Sequence, residues 1–113
     1  MAFATFLRFE RLEPERYDRL IVGLDLDSNP PSGQILHVAA PLEDGFEICE
    51  VWRTREAAVA YLENRFRPVL IRVGAEPPSV RIEPLRNLFA LDVDAIERIG
   101  AVSLPAHLEA VLM

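Results

Sequence analysis

The chain has 113 residues with 18 acidic and 12 basic side chains, a net charge of −6, and half of its residues are apolar. That length suits one ordinary domain able to bury a core without disulfides or a structural metal, and the single cysteine, Cys49, excludes an internal disulfide and a cysteine-rich zinc site. The acidic balance, with arginines interleaved among acids at Glu10–Arg11–Glu13, Arg55–Glu56 and Glu97–Arg98, argues against nucleic acid and against an anionic membrane surface, because either needs a basic face.

Residues 2–9 alternate as a strand, with Phe3, Thr5, Leu7 and Phe9 on one side and Ala2, Ala4, Phe6 and Arg8 on the other. The spacing of Tyr17, Leu20, Ile21 and Leu24 predicts a helix over 14–24, opened by Pro14 with acids at its start. The proline- and serine-rich run 27–33 is a loop. Strands follow at 34–41 and 45–52, joined through Asp44-Gly45, a strong hairpin signal. Thr54 is the expected N-cap of the next helix, whose apolar stripe is Ala58, Tyr61, Leu62 and Phe66. Pro68 should kink or divide it, with a short extra helix over 68–73 ending at Gly74. A last strand is expected at 80–87, and Pro84 places it at a sheet edge or a bulge. Residues 88–113 form an apolar tail. Asp94 with Glu97 offers a capping box there, and Pro105 can open a helix over 105–112.

The order β-α-β-β-α-β implies a ferredoxin-like antiparallel sheet with both helices on one face. The expected division is a domain over 1–87 and a helical tail, 88–113, that docks on it or on a partner chain. The second strand is apolar on both sides, with Ile35 and Ala39 on one and Leu36, Val38 and Ala40 on the other. The face away from the helices therefore needs a cover, and a second copy packed sheet to sheet supplies it. No apolar run approaches the roughly 18 residues of a membrane span, and the cytoplasm is the expected location.

Several motifs together resemble a known family: the run from Gly33 to Pro41, the Asp-Gly turn, the segment from Glu50 to Ala57 with its acid-x-Trp, Arg65-Phe66-Arg67-Pro68, and Arg86 to Phe89. These are similar to small bacterial proteins of the antibiotic-biosynthesis-monooxygenase-like superfamily. The resemblance implies a dimeric α+β barrel over residues 3–89. It also implies a functional range from cofactor-independent monooxygenases of aromatic polyketides through haem-degrading enzymes and isomerases to proteins without a known reaction. The haem-degrading branch uses an asparagine on the first strand, which Phe3 to Phe9 lacks.

A two-residue turn at Asp44-Gly45 would set Ala39 opposite Glu50 and His37 opposite Trp52, clustering His37, Glu50 and Trp52 on one face with Ile35 and Ile48 nearby. These three are the candidate catalytic residues. The expected face is the one away from the helices, because the Cys49/Val51 side is apolar and suits helix packing. A histidine and a carboxylate against an aromatic wall could bind a planar molecule and move a proton. Each also has a plainer reading: Trp52 as core packing, His37 as a hydrogen-bonded core residue, Glu50 as the partner of Arg8 or Arg81. Cys49 reads as a small core hydrophobe, His107 as a surface residue, and Asn87 as a cap to the last strand. Asp25-x-Asp27-x-Asn29 opens like a calcium loop, but Pro30 and Leu36 stand where glycine and glutamate are needed. No phosphate loop and no nucleophile elbow occurs, so no nucleotide, flavin or metal cofactor is expected. Two functions follow: a small-molecule binder for apolar or aromatic compounds, and a cofactor-independent monooxygenase or isomerase.

Overall fold

A computed structural model describes residues 1–92. The elements run β1 (Phe3–Phe9), α1 (Pro14–Leu24), β2 (Gln34–Pro41), β3 (Phe46–Trp52), α2 (Arg55–Tyr61), a π-helical turn (Leu62–Phe66), α3 (Arg67–Arg72) and β4 (Ser79–Pro84). The sheet is antiparallel, in the order β2-β3-β1-β4. This is the expected ferredoxin-like α+β arrangement. The predicted tail elements at Asp94–Glu97 and 105–112, and His107, lie outside the described residues. Within them, Leu88, Phe89 and Leu91 are exposed and follow no regular element.

The helix-covered face of the sheet carries Leu7, Phe9, Ile48 and Trp52. They form one cluster with Leu20 and Leu24 of α1, Ala58 and Tyr61 of α2, and Phe66, Val69 and Leu70 beyond. The α1 stripe is buried at Leu20 and Leu24 as its periodicity requires, and Tyr17 stacks on Phe46 at 4.3 Å. Gly23 sits where α1 meets α3: a Cβ there would come within 2.7 Å of Val69 Cγ1. The helix ends at Asp25, in the left-handed region at φ 51°. Its backbone N–H returns to Ile21, and Ser28 Oγ donates to its carboxylate at 2.5 Å. The Asp25–Asn29 run is therefore a helix cap and turn. Arg65 reaches across from the π-turn and donates to the carbonyls of Leu24, Asp25 and Asn29, satisfying the end of α1.

Thr54 caps α2 as expected, its Oγ1 accepting from Ala57 N at 3.1 Å. The expected short extra helix before Gly74 is present as α3, with the division falling just ahead of Pro68. One π-turn joins α2 to α3, and its Arg67 N–H returns to Leu62, five residues back. The reason lies in the apolar spacing. Tyr61 and Phe66 are five apart, which a pure α-helix would rotate off a common face. One extra residue in the turn brings Tyr61, Phe66, Val69 and Leu70 to the same side. Pro68 then stands at the start of α3, where its missing N–H costs little.

The hairpin differs from the expected one. Leu42 N donates to Gly45 O at 2.9 Å, so the loop takes four residues, 42–45, and Pro41 pairs with Phe46. A two-residue type I′ turn requires positive φ at both central positions, and neither Asp44 nor Gly45 has it. Gly45 is needed for another reason: a Cβ would lie 1.8 Å from Phe9 O, where β1 crosses the hairpin. The register is thus displaced by two residues. His37 opposes Glu50, and Ala39 opposes Ile48. A shift of two preserves which side each residue faces. Ile35 forms a bulge, exposed and outside the cluster it was expected to join, and Gln34 opposes Trp52 instead. β4 is an edge strand, as Pro84 requires, and it stops there, short of Asn87.

Candidate functional site

Register places His37, Glu50 and Trp52 on one face, and the helices cover that face. The expectation that the cluster looks away from the helices is therefore wrong. Cys49, by contrast, lies on the uncovered face beside Phe6 and Val38. Alternation alone cannot say which face receives helices when both are partly apolar. Here the polar groups of the covered face satisfy one another instead of meeting solvent.

Glu50 is the centre, and its side chain is almost wholly buried. An isolated carboxylate at such depth is costly, and the sheet offsets that cost with three donors. Thr5 Oγ1, across on β1, donates to Oε1 at 3.2 Å. Gln34 Nε2 donates to Oε2 at 3.0 Å, and His37 Nδ1 lies 3.0 Å from the same oxygen. Trp52 Nε1–H donates to Thr5 Oγ1 at 3.1 Å. An indole nitrogen can only donate. Thr5 therefore accepts from Trp52 and turns its own proton to Glu50. Where Glu50 is ionised and the His37 ring is neutral, the ring proton sits on Nδ1 and Nε2 keeps a free lone pair. His37 Nε2 is buried and has no hydrogen-bond partner.

Trp52 is not a pocket wall. It is fully buried between sheet and α2, its ring 4.9 Å from Tyr61. Its role is packing together with ordering Thr5. Arg8 and Arg81 do not reach Glu50: they pair with Glu10, Glu47 and Glu83.

Thr5, Gln34 and Tyr61 were not singled out from sequence. Thr5 was already assigned to the same strand side as Phe3 and Leu7, and pairing with β3 would have found it. Gln34 reaches the cluster only through the bulge, which no residue type announced. Tyr61 sat on an apolar helical stripe and read as core. Burial pushes its phenol well above the ordinary tyrosine value, and the nearby charge of Glu50 adds to the effect. Tyr17 is pushed up to about 12, by burial first and then by Asp18 and Glu50. Burial, followed by the charges of Glu50 and Glu47, also pushes the Cys49 thiol up, so its thiolate is disfavoured.

The two raised phenols predict an alkaline weakness. Both are neutral in the fold and ionise more readily once unfolded. Their contribution is complete below about pH 10, the ordinary tyrosine value, and falls as pH rises from there through 12. Thermal melts followed by circular dichroism should show a lower midpoint at pH 11 than at pH 9. The double variant Tyr17→Phe, Tyr61→Phe should flatten that decline, and an equal decline in the variant would contradict the assignment.

A separate cavity of about 140 Å³ lies at the end of β1 and β4, lined by Arg8, Arg11, Glu76 and Ser79 among others. It involves none of the cluster residues. Among the described residues no helix is long and apolar enough to cross a membrane, and no group of three or more His, Cys, Asp or Glu side chains is placed to hold a metal ion.

No family model and no curated protein matches the chain. Solved structures do. A candidate antibiotic biosynthesis monooxygenase from Chloroflexus aurantiacus is 20% identical, with 79% of this chain and 98% of that one covered at a TM-score of 0.56. SnoaB, a cofactor-independent oxygenase from Streptomyces nogalater, is 12% identical, with coverage of 79% and 95% and a TM-score of 0.57. A protein of unknown function from Nitrosomonas europaea is 20% identical, with coverage of 78% and 93% and a TM-score of 0.61. Likeness at this level of identity speaks to architecture, and it agrees with the motifs read from the sequence: the chain has the α+β fold of the antibiotic-biosynthesis-monooxygenase-like proteins.

Proposed function

We propose that the protein is a homodimer that binds a small, flat, mostly apolar or aromatic molecule between its sheet and its helices, with His37 as the polar contact. The observation that carries this reading is the buried Glu50–His37 pair, which holds an unpartnered basic nitrogen inside an otherwise apolar layer. A core that needed only packing would not bury a carboxylate with three donors to present one free lone pair. The ligand that fits carries a hydroxyl or similar acid whose proton meets His37 Nε2. Trp52 and Thr5 keep Glu50 in place, and Glu50 keeps the imidazole in the tautomer that accepts.

The dimer reading rests on the other face of the sheet. Phe6, Leu36 and Cys49 are only half-buried there and Val38 is half-exposed. The Arg8–Glu47 and Arg81–Glu83 pairs lie on the same face. Arg81 also sits 4.4 Å over the Phe6 ring. An apolar centre with paired charges at its margin suits a second copy packed sheet to sheet.

The same dyad favours a second reading. A histidine oriented by a carboxylate is a general base. It could take the proton of a bound phenol or enol and so begin a cofactor-independent oxygenation or an isomerisation, the former being the activity named for SnoaB.

Native mass spectrometry of the full chain purified from cells tests both parts. The expected species is a dimer carrying additional small-molecule mass. His37→Ala should keep the dimer and lose at least tenfold in ligand occupancy. A monomer would contradict the sheet-to-sheet assembly. Unchanged occupancy in His37→Ala would contradict the site.

A further inference from the structure

The two edges of the sheet differ in character. β4 carries Arg81, Glu83 and Pro84, the charges and the proline that keep an edge from pairing. β2 is longer and has no Lys, Arg, Asp or Glu, and Ile35 and Val38 stand exposed on it. Among the described residues it pairs with β3 alone. Leu42 N–H turns inward to Gly45 O, so by alternation the N–H and C=O groups of His37 and Ala39 face outward along the open edge. Pro41, which has no N–H to offer, holds the next outward position. An uncharged edge of this length is a template for a further strand. Residues 86–92, beyond the end of β4, have the matching need. Leu85 N–H donates to Ala2 O at 2.8 Å, and beyond it the described chain pairs with no strand. Leu88, Phe89 and Leu91 there are 46%, 76% and 93% exposed, a run of large apolar groups that favours a partner.

We propose that residues 86–92 of each copy add as a strand to the open β2 edge of the other. This rests on the sheet-to-sheet dimer proposed above and gives that dimer its orientation: with the two-fold axis along the strands, β4 of each copy lies over β2 of its partner. Packed sheets stand about 10 Å apart, and seven extended residues reach roughly 23 Å, enough to cross the gap and pair along β2. Returning to its own β2 would instead take the segment across the face that the second copy covers. The outward backbone groups of His37 are among those the added strand bonds, so the partner's chain borders the Glu50–His37 pair.

Hydrogen exchange of the full chain tests the added strand, read by mass spectrometry on the peptide spanning 35–41 at protein concentrations above and below dimer dissociation. The amides of His37 and Ala39 should exchange about tenfold or more slowly in the dimer than in the dissociated chain. In the double variant Phe89→Asp, Leu91→Asp that protection should be lost and the dimer should weaken about tenfold or more. Far-UV circular dichroism of the variant should be unchanged, since both side chains are exposed. Protection that does not vary with concentration would place a segment of the same chain on β2 and overturn the proposal. A dimer whose His37 and Ala39 amides exchange freely, or are protected equally in the variant, would also overturn it while the sheet-to-sheet assembly stands. A monomer at every concentration would remove the dimer and the added strand together.

Discussion

Trp52→Ala should destabilise the protein by about 3–5 kcal/mol, the range for losing a buried large aromatic. The indole is fully buried against Tyr61 and within the cluster shared by sheet and helices. Its loss would open a cavity bordered by elements that cannot collapse independently, since β3 is hydrogen-bonded on both edges. It would also strip Thr5 of the donor that sets the direction of its hydroxyl. Domains of this size have total stabilities of about 5–15 kcal/mol, so the variant should sit close to its unfolding midpoint at ambient temperature. Urea unfolding followed by circular dichroism measures the loss, and a change below about 1 kcal/mol would mean the ring is not packed as described. Trp52→Phe should retain much of the packing and lose mainly the bond to Thr5.

Glu50 carries the second large effect, and two variants divide it. Glu50→Ala leaves the Thr5 hydroxyl, the Gln34 amide and the His37 Nδ1–H facing an apolar void. Breaking a buried charge network from one side costs about 3–5 kcal/mol. Glu50→Gln keeps the volume and should cost about 1–2 kcal/mol, with a chemical consequence that the alanine variant cannot show. Thr5 can still donate to the amide oxygen. The amide nitrogen, now facing His37, is a donor, so His37 must accept on Nδ1 and move its proton to Nε2. Gln34 can rotate its amide to present oxygen. The network stays satisfied, but the outward nitrogen changes from acceptor to donor. Nitrogen-15 NMR of the His37 ring reads this directly. The expected result is the Nδ1–H form in the unaltered protein and the Nε2–H form in Glu50→Gln. The same tautomer in both would refute the hydrogen-bond order assigned to Glu50.

Much of the fold was legible because its signals were redundant. Helix α1 carries its apolar stripe, its initial proline and its acidic start together, and its bounds agree with those read from the sequence. Pro84 alone placed β4 at an edge. The candidate site was less legible. The Asp44-Gly45 pair is ambiguous, since glycine serves a tight turn and a close backbone approach equally well, and here Phe9 demands the second. His37 and Glu50 were still grouped, because an error of two in register leaves side-chain direction untouched. The choice of face failed because the polar groups that suggested solvent or a barrel interior are hydrogen-bonded to each other beneath the helices. Gln34 depends on a bulge at Ile35, an ordinary strand residue. Tyr61 could have been noticed through its spacing of five from Phe66, which fits neither a strand nor a regular helix.

That spacing has a consequence for how the chain tolerates change. The segment from Arg55 to Arg72 is two helical phases joined by a slip at Leu62–Phe66. Ala58 and Tyr61 answer to Trp52 and the polar cluster. Val69 answers to Gly23 of α1, and Phe66 to Phe9. Because the one extra residue is what sets Tyr61 and Phe66 on a common side, losing one residue inside the slip would rotate one set of contacts about 100° relative to the other. The turn thus fixes the phase between the half of the segment that shapes the site and the half that braces the fold.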